Sequence, residues 1–282
     1  MVKKILAAVV ILLVLLFAVY EYAYNRAQKL PENNPKEFIS KGGKQPGQKV
    51  LVCVGDSITH ATVSYDYVKI LKSALAPRNI TVVNAGINGE TAWNVLKRAD
   101  DIIACNPDYI TILIGTNDAN GTFSPVVAKR QSKDMGIPQR PDKVWFRENL
   151  TKLCEKLKSN TKARIALLSI PPIGEESEHD AFKLAQEFSA IIKDVAAKEG
   201  ITYIPLNEKL TKMLAASGHR PRFSYSPEEF IMYRSIARHF FLGQSYDQIS
   251  EIHGYYLLTD SLHLNGRAAG AVAEMIEGFV VQ

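Results

Sequence analysis

Cysteine is scarce: Cys53, Cys105 and Cys154 are the only three in 282 residues, and no two form a C-x-x-C pair. That excludes a disulfide framework and a thiolate zinc site, and reads all three as small buried apolar residues. No H-x-H, D-x-H or H-E-x-x-H spacing occurs, which argues against the clustered ligands of metal-dependent phosphoester hydrolysis. Neither charge sign dominates. Lys and Arg number 34 against 29 Asp and Glu, a net +5, and the positive residues are scattered without a basic, aromatic-interleaved tract. Nucleic acid is therefore not expected as a partner. There are no internal repeats. What remains is an ordinary globular composition, 46% apolar and 22% charged, enough for one large domain with a sizeable core.

The single long hydrophobic run is N-terminal. "MVKKILAAVVILLVLLFAVYEYAY" has two lysines, an apolar stretch from Ile5 to Tyr20, and then Tyr22 and Tyr24. A bilayer span needs about 20 residues, which this run reaches if its tyrosine-rich end is counted. Residues 1–24 are thus expected to form a membrane anchor, a transmembrane helix with a cytoplasmic N-terminus. A cleaved signal peptide is the competing reading, in which the rest is secreted; no clear A-x-A site follows the run. Either way the remaining chain is expected outside the cytoplasm. Residues 25–49, rich in Lys, Asn, Pro and Gly, read as a flexible linker.

From residue 50 short apolar runs alternate with helical patterns. "KVLVCVG", "ITVVNAG", "DYITILIG", "ARIALLSI" and "ITYIPL" read as five strands. Helices are expected over 63–76, 91–104, 144–160, 180–199, 207–217 and from Asn265, which offers a cap, to the C-terminus. Strands apolar throughout, separated by helices, imply an α/β fold with a parallel sheet covered on both faces. Ligands of such folds bind beyond the carboxyl ends of the strands.

Those strand ends carry small and amide residues. The first runs into Gly55-Asp56-Ser57, the second into "NAGINGET" (84–91), the third into "GTND" (115–118). A late loop, "TDSLHLN" (259–265), holds Asp260 and His263 three apart. Acyl transfer asks for these parts. A serine hydroxyl needs a base, a histidine can supply it when a carboxylate fixes its tautomer, and donors must meet the oxyanion. The backbone N–H groups of Ser57 and Gly89 and the amide of Asn117 are candidates for the last task.

These four segments in this order resemble the SGNH hydrolases, the GDSL esterase/lipase family, over roughly residues 50–281. The resemblance implies a three-layer α/β/α sandwich with a five-stranded parallel sheet (flavodoxin-like). It makes Ser57 the nucleophile, His263 the base and Asp260 the group orienting it, with Ser57, Gly89 and Asn117 as the oxyanion hole. No cofactor or metal is implied. The expected activity is ester hydrolysis through an acyl-serine intermediate, on a small-molecule, glycan or lipid ester. An O-acyltransferase would use the same residues, and a non-catalytic membrane-tethered binding module is the reading from another class.

Other residues receive plainer roles. Asp56 and Asn84 are expected to bond turn backbone, Asp118 to buttress the turn presenting Asn117, and His60 to face the site rim or solvent. His179, His219, His239 and His253 lack ligand spacing. Two insertions depart from the family's usual outline. Residues 119–143 read as a solvated polar loop. Residues 218–256, rich in aromatics, read as an amphipathic helix packed on the domain, with a substrate-binding cap as the sharper hypothesis.

Overall fold

The computed structural model describes residues 2–228 and 230–282, apart from the side chains of residues 2–5, 7–9, 12, 15–16 and 20. The chain opens with α1 (Val2–Gln28) and α2 (Pro35–Ser40). It then alternates through β1 (Lys49–Gly55), α3 (Ser57–His60), α4 (Tyr67–Leu75), β2 (Ile80–Gly86), α5 (Ala92–Lys97), α6 (Ala99–Ile103) and β3 (Tyr109–Leu113). Next come α7 (Thr116–Phe123), α8 (Pro125–Met135), α9 (Lys143–Asn160), β4 (Arg164–Leu168), α10 (Asp180–Glu199), β5 (Thr202–Ile204) and α11 (Leu206–Ser217). The chain closes with α12 (Phe230–Leu242), α13 (Tyr246–His253) and α14 (Gly266–Val281).

The five strands form one parallel sheet in the order β2-β1-β3-β4-β5. Successive residues of β1 face opposite ways, as strand geometry requires. Val50, Val52 and Val54 pack with α5, α6, α9 and α10, while Leu51 and Cys53 pack with α4, α11 and α14. Burial on both faces explains why the strands are apolar throughout, and it gives three α/β/α layers. The strand order reverses at β1, so a crevice opens where β1 and β3 end, and Ser57 stands there.

Two N-terminal expectations need correction. Among the described residues no helix is long and apolar enough to cross a membrane, which overturns the transmembrane part of the expected fold class. Much of the apolar run from Ile5 to Tyr20 lies on side chains outside the described set. The described C-terminal turns of α1 instead dock on the domain, with Ala23 and Ala27 buried. Nor are residues 25–49 a featureless tether. They hold the end of α1 and all of α2, which Asn34 caps by accepting from Glu37 N–H at 3.1 Å.

Candidate active site

Ser57 opens α3, a single turn set on the sheet's C-terminal edge. Asp56 caps it, its Oδ1 accepting from Ile58 N–H at 3.0 Å. The turn lies directly on β2: a Cβ at Gly86 would fall 2.2 Å from the His60 backbone nitrogen, so only glycine fits. Asn84 binds the same turn, donating from Nδ2 to Thr59 O at 2.8 Å and accepting from Gly86 N–H at 2.9 Å.

The late loop supplies the other two groups. Asp260 Oδ1 accepts from the N–H groups of Leu262 and His263 at 2.7 and 2.8 Å, which folds the loop around its carboxylate. Oδ2 accepts from His263 Nδ1 at 2.8 Å. That bond fixes the proton on Nδ1, so Nε2 is the acceptor, and it lies 3.0 Å from Ser57 Oγ across 206 residues of chain. Burial alone would raise the Asp260 carboxyl. The His263 ring and the hydrogen bonds outweigh it and hold the group below the usual carboxylate value.

A residue outside the four motifs shapes this loop. Glu175, just beyond β4, has a fully buried side chain. Its carboxylate accepts from the N–H groups of Tyr256, Leu257 and Leu258 at 2.7–2.8 Å. Gly174 N–H donates to Ser261 O at 2.8 Å beside it. Glu175 thereby anchors the strand of chain that delivers Asp260 and His263. Burial pushes its carboxyl up, against the pull of those three N–H groups.

Gly89 and Asn117 line the same cleft as Ser57 and His263. Gly89 has φ +78°, a left-handed conformation that glycine adopts without strain. Asn117 Nδ2 donates to Glu90 O at 3.0 Å, which fixes the plane of its amide. Glu90 is held in turn by a partly buried ion pair with Arg98, whose Nη2 also donates to Ala85 O at 2.8 Å. Asp118 Oδ2 accepts from Ala92 N–H at 3.1 Å, tying the third strand-end turn to α5. Asp56 and Asp118 each bury one carboxylate oxygen with no hydrogen-bond partner. Burial pushes both carboxyls up to about 7, each against its own hydrogen bonds, and the Asp56 charge adds to the rise at Asp118.

The cleft above Ser57 has a volume of about 520 Å³. Its walls come from three segments that carry none of the motifs. Tyr24 and Ala27 belong to α1, Arg130 and Met135 to α8, and Met232 and Ile236 to α12. Residues 119–143 are therefore not a solvated loop. Gln131 Nε2 donates to Asn117 O at 2.8 Å and Asn94 Nδ2 to Met135 O at 2.9 Å, pinning α8 beside the Gly89 and Asn117 turns. His60 also departs from expectation, being 3% exposed and bonded through both ring nitrogens. The remaining histidines are structural: His179 Nδ1 caps α10, His219 and His239 meet backbone carbonyls, and His253 Nδ1 lies 3.0 Å from Thr259 O. Among the described residues no group of three His, Cys, Asp or Glu could hold a metal ion.

Comparison with known proteins agrees with this architecture. The family model described as GDSL-like Lipase/Acylhydrolase matches residues 53–230. An uncharacterized lipoprotein of Bacillus subtilis (strain 168), YqeF, is 29% identical over 189 residues, 63% of this chain and 72% of that protein. An acetylxylan esterase of Geobacillus stearothermophilus is 24% identical over 188 residues, 60% of this chain and 80% of that one. Among solved structures, a catalytic mutant of an acetylxylan esterase from Geobacillus stearothermophilus superposes with a TM-score of 0.57 at 18% identity, over 83% of this chain and 94% of the other. The lipase/acylhydrolase from Enterococcus faecalis gives 0.53 at 19% identity, over 83% and 95%. The chain belongs to the GDSL-like lipase/acylhydrolase family, and it is a carboxylic ester hydrolase of the SGNH type.

Proposed function

We propose that the protein cleaves its ester through an acyl-serine intermediate on Ser57. The observation that carries this reading is the chain of two hydrogen bonds, Ser57 Oγ to His263 Nε2 at 3.0 Å and His263 Nδ1 to Asp260 Oδ2 at 2.8 Å. Ser57 Oγ attacks the carbonyl carbon as His263 Nε2 takes its proton. The oxygen of the tetrahedral intermediate is met by the N–H groups of Ser57 and Gly89 and by Asn117 Nδ2. Collapse breaks the bond to the alkoxide, which leaves with the proton from His263. Water then attacks the acyl-serine, again giving its proton to His263, and the acid departs as Ser57 regains its hydrogen. Asp260 keeps the ring in the required tautomer throughout.

The ester we propose is an O-acetyl group on a glycan hydroxyl. The relative named as an acetylxylan esterase supports that class. So does the cleft, whose lining combines Gln28, Arg130 and Asp134 with Tyr24 and Tyr233. One relative is named a lipoprotein, which supports an extracytoplasmic setting. The test is hydrolysis of p-nitrophenyl acetate and of acetylated xylo-oligosaccharides by the wild type and by Ser57→Ala. The reading expects acetate release from both substrates and a loss of about 10³-fold or more in the variant. Wild-type rates in the folded variant would overturn the mechanism. Hydrolysis of the chromogenic ester alone would overturn the glycan assignment.

A further inference from the structure

We infer that His60 is a positioning residue whose two ring nitrogens tie the chain after α1 to the turn carrying Gly89, so that a cleft wall and the oxyanion turn are held as one unit. The inference rests on the reading that this turn serves acyl transfer. Asn88 N–H donates to His60 Nδ1 at 3.2 Å. Nδ1 is therefore unprotonated, and Nε2 carries the hydrogen donated to Lys29 O at 2.9 Å. One neutral tautomer satisfies both bonds. Protonating Nδ1 would set two donors against each other. Burial keeps the ring's affinity for a proton below its ordinary value, and the Arg98 charge adds to this, against the bond to Lys29 O.

The joint has a second pair of bonds. Ala27 O, in the last turn of α1, accepts from Asn88 Nδ2 at 2.8 Å and from Thr62 Oγ1 at 2.6 Å. Carbonyls at the end of a helix have no partner within it, and here the residue before Gly89 and one just beyond α3 provide two. Ala23, Tyr24, Ala27 and Gln28 wall the cleft on one side of the joint, and Gly89 lies on the other. His60 sits three residues after Ser57, on the backbone that packs against Gly86. A shift of the α1 end thus pulls on Asn88 and, through it, on the neighbouring Gly89 N–H. Small displacements of such groups are costly to the rate.

Two full-length variants separate the bonds. His60→Ala removes both. His60→Asn places a carboxamide oxygen near the position of Nδ1, where it accepts from Asn88 N–H, but has no atom that reaches Lys29 O. The readouts are kcat and KM on p-nitrophenyl acetate and amide hydrogen exchange across residues 27–34 and 87–90. We expect His60→Ala to lower kcat on the order of tenfold and to speed exchange in both segments, with the remaining amides near wild type. His60→Asn is expected to recover most of kcat and protection in 87–90 while 27–34 stays fast. Unchanged exchange in either segment of His60→Ala, or a rise spread evenly over the whole domain, overturns the inference. If His60→Ala does not fold, wild-type exchange at 27–34 in His60→Asn does the same. The exchange results stand whether or not Ser57→Ala abolishes activity, so failure of this coupling and failure of the acyl-serine reading remain distinguishable.

Discussion

The floor of the cleft is cross-linked from turn to turn by hydrogen bonds, whereas its walls join it at their ends. The floor comprises the turns after β1, β2 and β3 and the Asp260–His263 loop. Its hydrogen bonds run within each turn, such as Asp56 to Ile58 and Asp260 to His263, and from one turn to another, such as Asn84 to Thr59, Asn117 to Glu90 and His263 to Ser57. The walls are the end of α1, with α8 and α12. The end of α1 and α8 reach the floor at a few side-chain bonds, Asn88 and Thr62 to Ala27 O, Asn94 to Met135 O and Gln131 to Asn117 O among them. On the proposed mechanism the floor holds the reacting atoms, and the walls line the rest of the cleft.

The largest effect is expected on the floor, from Asp260→Asn. The amide would hydrogen-bond the wrong histidine tautomer, and kcat should fall by about 10⁴-fold with the fold intact. Steady-state kinetics beside circular dichroism would check it, and a loss below tenfold would remove Asp260 from its role. Asn117→Ala is next, with kcat expected to drop about 10²-fold and KM to move little, since an oxyanion donor acts mainly in the transition state. A rise in KM at constant kcat would assign Asn117 to the walls instead. On the wall, Ile236→Trp narrows the cleft. It should raise KM for a bulky ester by about tenfold and for an acetyl ester by less. An equal effect on both would dissolve the distinction between floor and wall.

The smallest expected change concerns stability. The Asp118 carboxyl stands at about 7 in the folded state against 3.8 ordinarily. Between those values the folded chain holds a proton that the unfolded chain releases, so this group makes stability fall as pH rises from about 4 to about 7. Asp118→Asn should flatten that fall in urea-unfolding midpoints compared at pH 4.5 and 7.5. An unaltered slope would place the carboxyl at its ordinary value.

The same division governs what the sequence reveals. β1 and β2 span the residues their apolar runs mark, Lys49–Gly55 and Ile80–Gly86, because burial on both faces leaves a continuous signal. The expected helix over 91–104 breaks at Arg98, which leaves the helical register to pair with Glu90 and Ala85 O; periodicity does not report that contact. Glu175 is invisible for a similar reason. Its three partners lie 81–83 residues away, and an acidic residue after Pro172, Ile173 and Gly174 looks like any surface turn. His60 looks exposed because α3 is only one turn long, while the chain that buries it is the N-terminal segment read as a tether. The polar composition of 119–143 suggests solvent, yet Arg130, Gln131 and Asp134 face the cleft, itself a polar surface.

The central claim is that Ser57 is an activated nucleophile. It is tested most directly by treating the full-length protein with a fluorophosphonate and mapping the adduct by mass spectrometry. One phosphonyl group is expected on Ser57 Oγ, absent from Ser57→Ala and suppressed in His263→Ala. A stoichiometric adduct on another residue, or none on folded protein, would contradict it.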